Sequence, residues 1–210
     1  MKAMSKKVSK LLVCVGVLIV AAAVALAGYN MYDNHMAGAS VNAANDRMNH
    51  IIPGEEPEDR WWESIEEELL PDMPAMEIDG NRYIGQLRIP SLSLVLPVLS
   101  EWSYPLLRVA PCRFSGTVYD GSLTIAAHNY RTHFGRLTQL SQGDAIVFVD
   151  AEGYVWNYEV LEIVSVEPEE VEFMTTGDYW DLTLFTCNYS GQLRHAVRAV
   201  QVQMNRLEFP

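Results

Sequence analysis

Cys187 closes the apolar run "LTLFTC" and His128 closes the run "LTIAAH". A thiol at its ordinary pKa of about 8.5 is mostly protonated at neutral pH. It becomes a nucleophile when an imidazole takes its proton or pairs with the thiolate. Two strand ends that carry Cys and His can meet at one rim, where the backbone holds each side chain rigidly. Attack on an acyl carbon makes an oxyanion, which needs fixed donors. Arg194 follows Cys187 by seven residues, enough for a turn to bring it opposite the cysteine on the next strand. Its guanidinium supplies permanent charge and forked donors. Arg198 shares that strand face by parity and reads as a solvated arginine. Plainer readings stand beside this one: a structural histidine, a buried cysteine, or a disulfide between Cys112 and Cys187. The other histidines are placed less well. His35 and His50 precede the β-rich part, His133 lies in a loop, and His195 points away from Arg194.

Short β-type runs must position these groups. "YIGQLRIP" (83–90), "LSLVLPVL" (92–99), "LTIAAH" (123–128), "AIVFVD" (145–150), "YVWNYEVLEIVSV" (154–166), "WDLTLFTC" (180–187) and "RHAVRAVQVQM" (194–204) read as strands. "AEG" between 150 and 154 reads as a hairpin turn, "NYSG" (188–191) as another turn, and "SYPLLRVA" (103–110) as a helical turn or two. Seven or eight short strands with little helix predict a mainly β, closed or sandwiched domain. Upstream, Trp61, Ile65 and Leu69 recur at four-residue spacing, with Trp62 and Leu70 widening the face. This predicts an acidic amphipathic helix at about 57–70.

Leu11–Gly28 carries no charge over 18 residues, follows four lysines and precedes Asp33. It predicts a membrane-spanning helix with the N-terminus in the cytoplasm and the body outside. Cleavage after "ALA" (25–27) is the alternative, and it too exports the body. The expected division is 1–28 tail and anchor, 29–75 stalk with the acidic helix, and 76–210 catalytic β domain. Removing the four lysines from the net charge of −12 leaves −16 on the remainder. Such an acidic body excludes binding through phosphate neutralisation, hence nucleic acid.

"TLFTC" (183–187) resembles the TLxTC motif of sortases, and "AAHNYRTHFGRL" (126–137) resembles their histidine motif. "IGQLRIPSLSLVLPV" (84–98) is similar to their opening strand pair, and an arginine follows on the next strand. The resemblance covers roughly 80–204. It implies a sortase-like closed β-barrel acting as a cysteine transpeptidase on the outer face of a Gram-positive-type membrane. Its implied substrates are secreted proteins with a C-terminal LPxTG-like signal, and its acceptor is an amine of the cell wall or of a pilin lysine. Carried over by position, Cys187 is the nucleophile, His128 the proton-transfer partner and Arg194 the oxyanion or substrate holder. Thr186 and Asn129 are then expected substrate-binding residues. The resemblance argues for a free Cys187, and Cys112 is expected to be a small buried residue. It implies no cofactor. Calcium in some relatives directs attention to "EPEEVE" (167–172), which reads here as a solvated acidic loop.

The interval before "WDLTLFTC" is short for the helical insertion of class B, and the chain ends at "LEFP" without the second membrane helix of class C. "DRWW" (59–62) has the Asp and aromatic of a class C lid but no Pro, so residues 51–74 are a candidate lid. The plan is nearest to class D or an unassigned group. No lysine follows Lys10. An enzyme whose thioester is resolved by amines would acylate its own lysines, so their absence is expected to limit self-ligation. A lysine introduced at the groove rim should yield self-ligated product detectable by intact mass. Two other functions fit less well. A different Cys–His cell-wall peptidase or L,D-transpeptidase lacks its Ser-His-Gly-x-Cys type of motif here, and a silent binding barrel has no reason to keep Cys187, His128 and Arg194.

Overall fold

The computed structural model describes residues 6–53, 72–175, 179–187 and 192–202. The predicted helix at 57–70, the candidate lid sequence and the turn at 188–191 lie outside those residues. One long helix, α1 (Lys6–Ile51), leads the chain. It belongs to two compact units, Met1–Met36 and Ala37–Pro210. In the first, the side chains from Leu11 to Leu26 are exposed. The most apolar window of α1 has mean hydropathy 2.9 and no buried residue, and the helix is long enough to cross a bilayer.

The second unit begins inside that helix. Ala37, Val41, Ala44 and Met48 are buried, and their spacing of four, three and four residues puts them on one helix face. Val41 joins the core with Phe134 and Leu137. Asn45 Nδ2 donates to Val95 O at 2.7 Å and its Oδ1 accepts from Gln86 Nε2 at 3.1 Å. Arg47 pairs with Asp79. The stretch 29–50 was expected to be a stalk; from Ala37 onward it is part of the body, because this stripe of small side chains lets the helix lie close on the barrel.

Nine strands follow among the described residues: β1 (Met76–Ile78), β2 (Asn81–Ile89), β3 (Leu94–Leu99), β4 (Cys112–Ser115), β5 (Leu123–Ala126), β6 (Ala145–Asp150), β7 (Val155–Val166), β8 (Leu182–Cys187) and β9 (Arg194–Gln201). Their order is β1-β2-β3-β4-β5-β8-β9-β7-β6, and β6 returns to β2 to close an eight-stranded barrel. β1 pairs only with the start of β2, outside the closed ring. Alternation fills the interior with Leu87, Leu96, Ile125, Phe148, Tyr158, Leu184 and Val197, all in one cluster. The β6–β7 hairpin falls where the sequence places it. Asp150, fully buried, accepts from Glu152 N, Tyr154 N and Trp156 Nε1, each at 3.0 Å. Burial still pushes its carboxyl above the ordinary range.

A second apolar layer lies outside the ring. Leu107 from α2 (Tyr104–Leu107), Met174 from α3 (Glu172–Thr175), and Ala44 and Met48 from α1 cover Leu99, Cys112, Ala126, Phe185 and Ala196. α2 is started by Ser103, whose Oγ accepts from Leu106 N.

Barrel closure has one steric pinch point. Gly85 pairs with Val98 on one side and Asp150 on the other. A Cβ there would stand 2.2 Å from Val149 O and 2.8 Å from the Asp150 Cα. Gly85→Ala must part β2 from β6, and a loss of about 3 kcal/mol is expected, readable as a lower urea midpoint at unchanged slope.

Candidate active site

Three adjacent strands bring the candidate residues into one row. β5 and β8 run parallel with Ala126 opposite Phe185, and the ladder continues one bond further, Ala127 N to Phe185 O at 3.1 Å. His128 lies two residues beyond Ala126, as Cys187 lies two beyond Phe185. β9 runs antiparallel to β8 with Cys187 opposite Arg194. The order across the sheet is therefore His128, Cys187, Arg194. By alternation Cys187 and Arg194 share the outer barrel face with Phe185 and Ala196, and all three candidate residues are partly accessible. The seven-residue return places Arg194 where the sequence reading expected it. The run "LTIAAH" leaves the regular ladder at Ala126, two residues short of its predicted end, so His128 stands at the head of a loop.

The two subsidiary residues fall differently. Asn129 is half-buried beside His128. Thr186 faces the opposite way from Cys187, opposite His195, and is only 3% exposed, with an Oγ1 that has no partner among the described residues. That burial puts Thr186 behind the cysteine and out of the groove.

All three cysteines are free, so no Cys112–Cys187 disulfide forms. Cys112 is fully buried on β4, opposite Leu99 and Ala126, with its Sγ donating to Ala110 O at 3.4 Å. Burial pushes its thiol up to about 12, which keeps it protonated and inert. Half-exposed Cys187 is the accessible thiol of the barrel.

Arg198, expected to be solvated, is instead 3% exposed. Nη1 donates to Glu162 Oε1 at 2.8 Å, Nη2 to Phe173 O at 2.6 Å, and the guanidinium lies 4.1 Å from the Trp180 ring centre. Trp180 Nε1 donates in turn to Thr183 Oγ1 at 2.9 Å. Arg198 thus ties α3 and Trp180 to the barrel on the face that carries Cys187. No local signal in the sequence marks this burial, because the cover is a four-residue helix.

Two connections carry exposed apolar side chains. Val171, Phe173 and Tyr179 stand on the β7–β8 connection, and Trp102 and Tyr104 on the β3–β4 connection. Tyr104, Trp102, Phe114 and Phe185 follow one another at ring separations of 5.9, 5.2 and 5.2 Å, ending two residues before Cys187. A cleft of about 490 Å³ opens beside Trp102 and Phe114. At its edge Arg113 pairs with Asp72, and that pairing holds the Asp72 carboxyl below its ordinary value. The loop "EPEEVE" is mostly exposed, and no three His, Cys, Asp or Glu side chains converge as metal ligands among the described residues.

His133 is fully buried behind His128. Burial lowers its pKa to about 4, with a smaller opposing effect from the Ala37 backbone. The folded chain therefore takes up this proton at lower pH than the unfolded chain. The contribution to stability is complete above about 6.5 and is lost as pH falls towards 4, by about 3 kcal/mol at most. His133→Asn should flatten the fall in urea midpoint between pH 6.5 and 4.

A comparison with protein families matches the Sortase domain over residues 87–202, more than half of the chain. The chain belongs to the sortase family. Sortase A of Bacillus anthracis is 28% identical over 128 residues, 59% of this chain and 60% of that protein; the chain thus aligns with less than two thirds of its curated relative. Solved sortases share the fold at lower identity. Sortase C-1 from Actinomyces oris gives a TM-score of 0.54 at 24% identity, covering 65% of this chain and 92% of that one. A sortase D5 transpeptidase of Clostridium perfringens gives 0.52 at 21%, covering 60% and 83%. Sortase C from Clostridium perfringens SM101 gives 0.52 at 20%, covering 82% and 91%. The resemblance read from "TLFTC" and "AAHNYRTHFGRL" is thereby established at the level of family and fold.

Proposed function

We propose that this sortase is a membrane-anchored cysteine transpeptidase for proteins bearing an LPxTG-like C-terminal signal. α1 anchors it, with the N-terminus in the cytoplasm and the barrel outside. The Cys187 thiolate attacks the carbonyl carbon before the scissile bond. Arg194, across the ladder, donates to the oxyanion. His128 hands a proton to the departing amine, the C–N bond breaks, and a thioester remains on Cys187. An acceptor amine attacks that thioester, loses its proton to His128, and leaves joined to the substrate as the C–S bond breaks and the Cys187 thiolate is restored. The chemistry draws on side chains alone. Asn129 meets the peptide near the scissile bond, and the acceptor amine belongs to the cell wall or a pilin.

The observation that carries this reading is the register, with Cys187 opposite Arg194 on β8 and β9 and His128 just past the end of β5, which pairs with β8. The exposed apolar side chains of the two connections favour an extended peptide with apolar residues ahead of the scissile bond. The short β7–β8 connection, whose helix has four residues, supports the compact plan of class D or an unassigned group. The test uses the full chain in detergent with a panel of LPxTG-like peptides and hydroxylamine as amine. Expected are a peptide hydroxamate cut between the fourth and fifth motif residues and an acyl adduct mapped to Cys187. A panel that yields neither overturns the proposal.

A further inference from the structure

His128 heads a loop that is tied back on itself. Phe134 N donates to His128 O at 3.2 Å, and His133 N and Gly135 N donate to Tyr130 O at 2.9 Å each. Three rings run along it, His128 to Tyr130 at 5.0 Å between centres and Tyr130 to His133 at 5.3 Å, the latter edge-on. Neither nitrogen of the buried His133 ring has a well-aligned hydrogen bond. The Ala37 backbone of α1 nevertheless lies near enough to act on its charge, as does His128.

The next helix residue makes a second contact. A Cβ on Gly38 would stand 3.0 Å from Thr132 Cγ2, so a larger residue there presses on the Thr132 side chain of the loop. Val41 then enters the core beside Phe134, and Asn45 is fixed on Val95 O. The helix face at 37, 38, 41 and 45 is thus held by the barrel and itself meets residues 132 to 134 of the loop.

We propose that Gly38 of α1 and His133 together position His128: the helix seats His133, His133 supports the Tyr130 ring, and Tyr130 sets the imidazole against Cys187. This rests on His128 being the proton-transfer partner. His133 is a positioning residue and touches no substrate. A chain beginning at residue 51 would have the nucleophile and its partner without this support. The helix that carries the membrane-spanning segment is then part of the catalytic machinery.

The experiment uses the full chain in detergent, with the peptide that the wild type cleaves and hydroxylamine. Gly38→Ala should slow acylation of Cys187 about tenfold while KM stays within about twofold. Thr132→Ser removes the methyl in the way and keeps the hydroxyl, so the double variant should regain most of the rate. His133→Ala should cost about ten- to a hundredfold and move the pH of half-maximal acylation, with partial recovery in His133→Phe, which keeps a ring. Histidine-selective NMR of the same proteins reads the inference without substrate. The His128 titration should shift in Gly38→Ala and return in the double variant. Unchanged rates and titration in Gly38→Ala and His133→Ala overturn the inference. So does a loss in Gly38→Ala that follows the melting temperature and is not relieved by Thr132→Ser. Should His133→Ala fail to fold, the Gly38 and Thr132 variants decide. Absence of any adduct in the wild type overturns the transpeptidase reading instead, and the NMR arm then decides the positioning by itself.

Discussion

Cys187→Ala is expected to abolish peptide cleavage and the acyl adduct, a loss on the order of 10⁴-fold or more, as for other enzymes deprived of their nucleophile. The fold should survive. Cys187 is the last residue of β8, half-exposed on the outer face, whereas the interior positions of that strand are held by Leu182 and Leu184. Its truncation removes little buried surface, so the urea midpoint should change by no more than about 0.5 kcal/mol of stability. His128→Ala should fall nearly as far, since the thiol then has no proton acceptor at neutral pH. Arg194→Ala should lose about 10²- to 10³-fold, the usual cost of one oxyanion donor, and Arg194→Lys should recover only part of it because an ammonium lacks the fork. Rate and unfolding curves on the same samples check this order. Equal activity in wild type and Cys187→Ala would remove the cysteine from the mechanism.

Arg198→Ala is expected to be the most destabilising single change on the outer face, by about 3–5 kcal/mol. The guanidinium is enclosed by Glu162, the Phe173 carbonyl and the Trp180 ring. Removing it leaves a carbonyl without its donor and a void under an indole. Glu162 is itself partly accessible, its side chain 38% exposed, so water recovers that carboxylate and the loss stays towards the lower end. Arg198→Met keeps the apolar stem and should cost less than Arg198→Ala, since an apolar group of similar volume often replaces a buried ion at little cost. Both variants should loosen α3, seen as faster amide exchange at Glu172–Thr175, and should raise the peptide KM more than they lower kcat. A Met variant as unstable as the Ala variant would place the energy in the charge itself.

The contrast between these two arginines shows what was readable from sequence. Arg194 was legible because a seven-residue return after a strand-end cysteine leaves few registers, and parity fixes the face. Arg198 has the same parity, but parity gives the face and says nothing about what covers it. β6 and β7 were legible because two apolar runs of six and twelve residues flank a Gly-containing turn, and the first half of β7 alternates. β1 and β4, with three and four residues, are too short for a period to show. The packed half of α1 carries only a weak signal. Ala37, Val41, Ala44 and Met48 repeat like a core stripe, but alanines carry little hydrophobic weight and the intervening asparagines made the segment read as a solvated stalk. His133 was read as a loop residue for a related reason, since what buries it comes from residues nearly a hundred positions earlier.

Because β5 and β8 run parallel, the chain must make β6 and β7 before the histidine and the cysteine can become neighbours. Fifty-nine positions separate His128 from Cys187 in the sequence. Parallel, long-range pairings are among the slowest to form, since loop-closure entropy is met before any contact repays it. Until that pairing forms, the thiol and the imidazole lie on separate stretches of chain, and only the closed ring brings the ends of β5 and β8 side by side. The topology thus makes the site the product of the whole barrel and of no local segment.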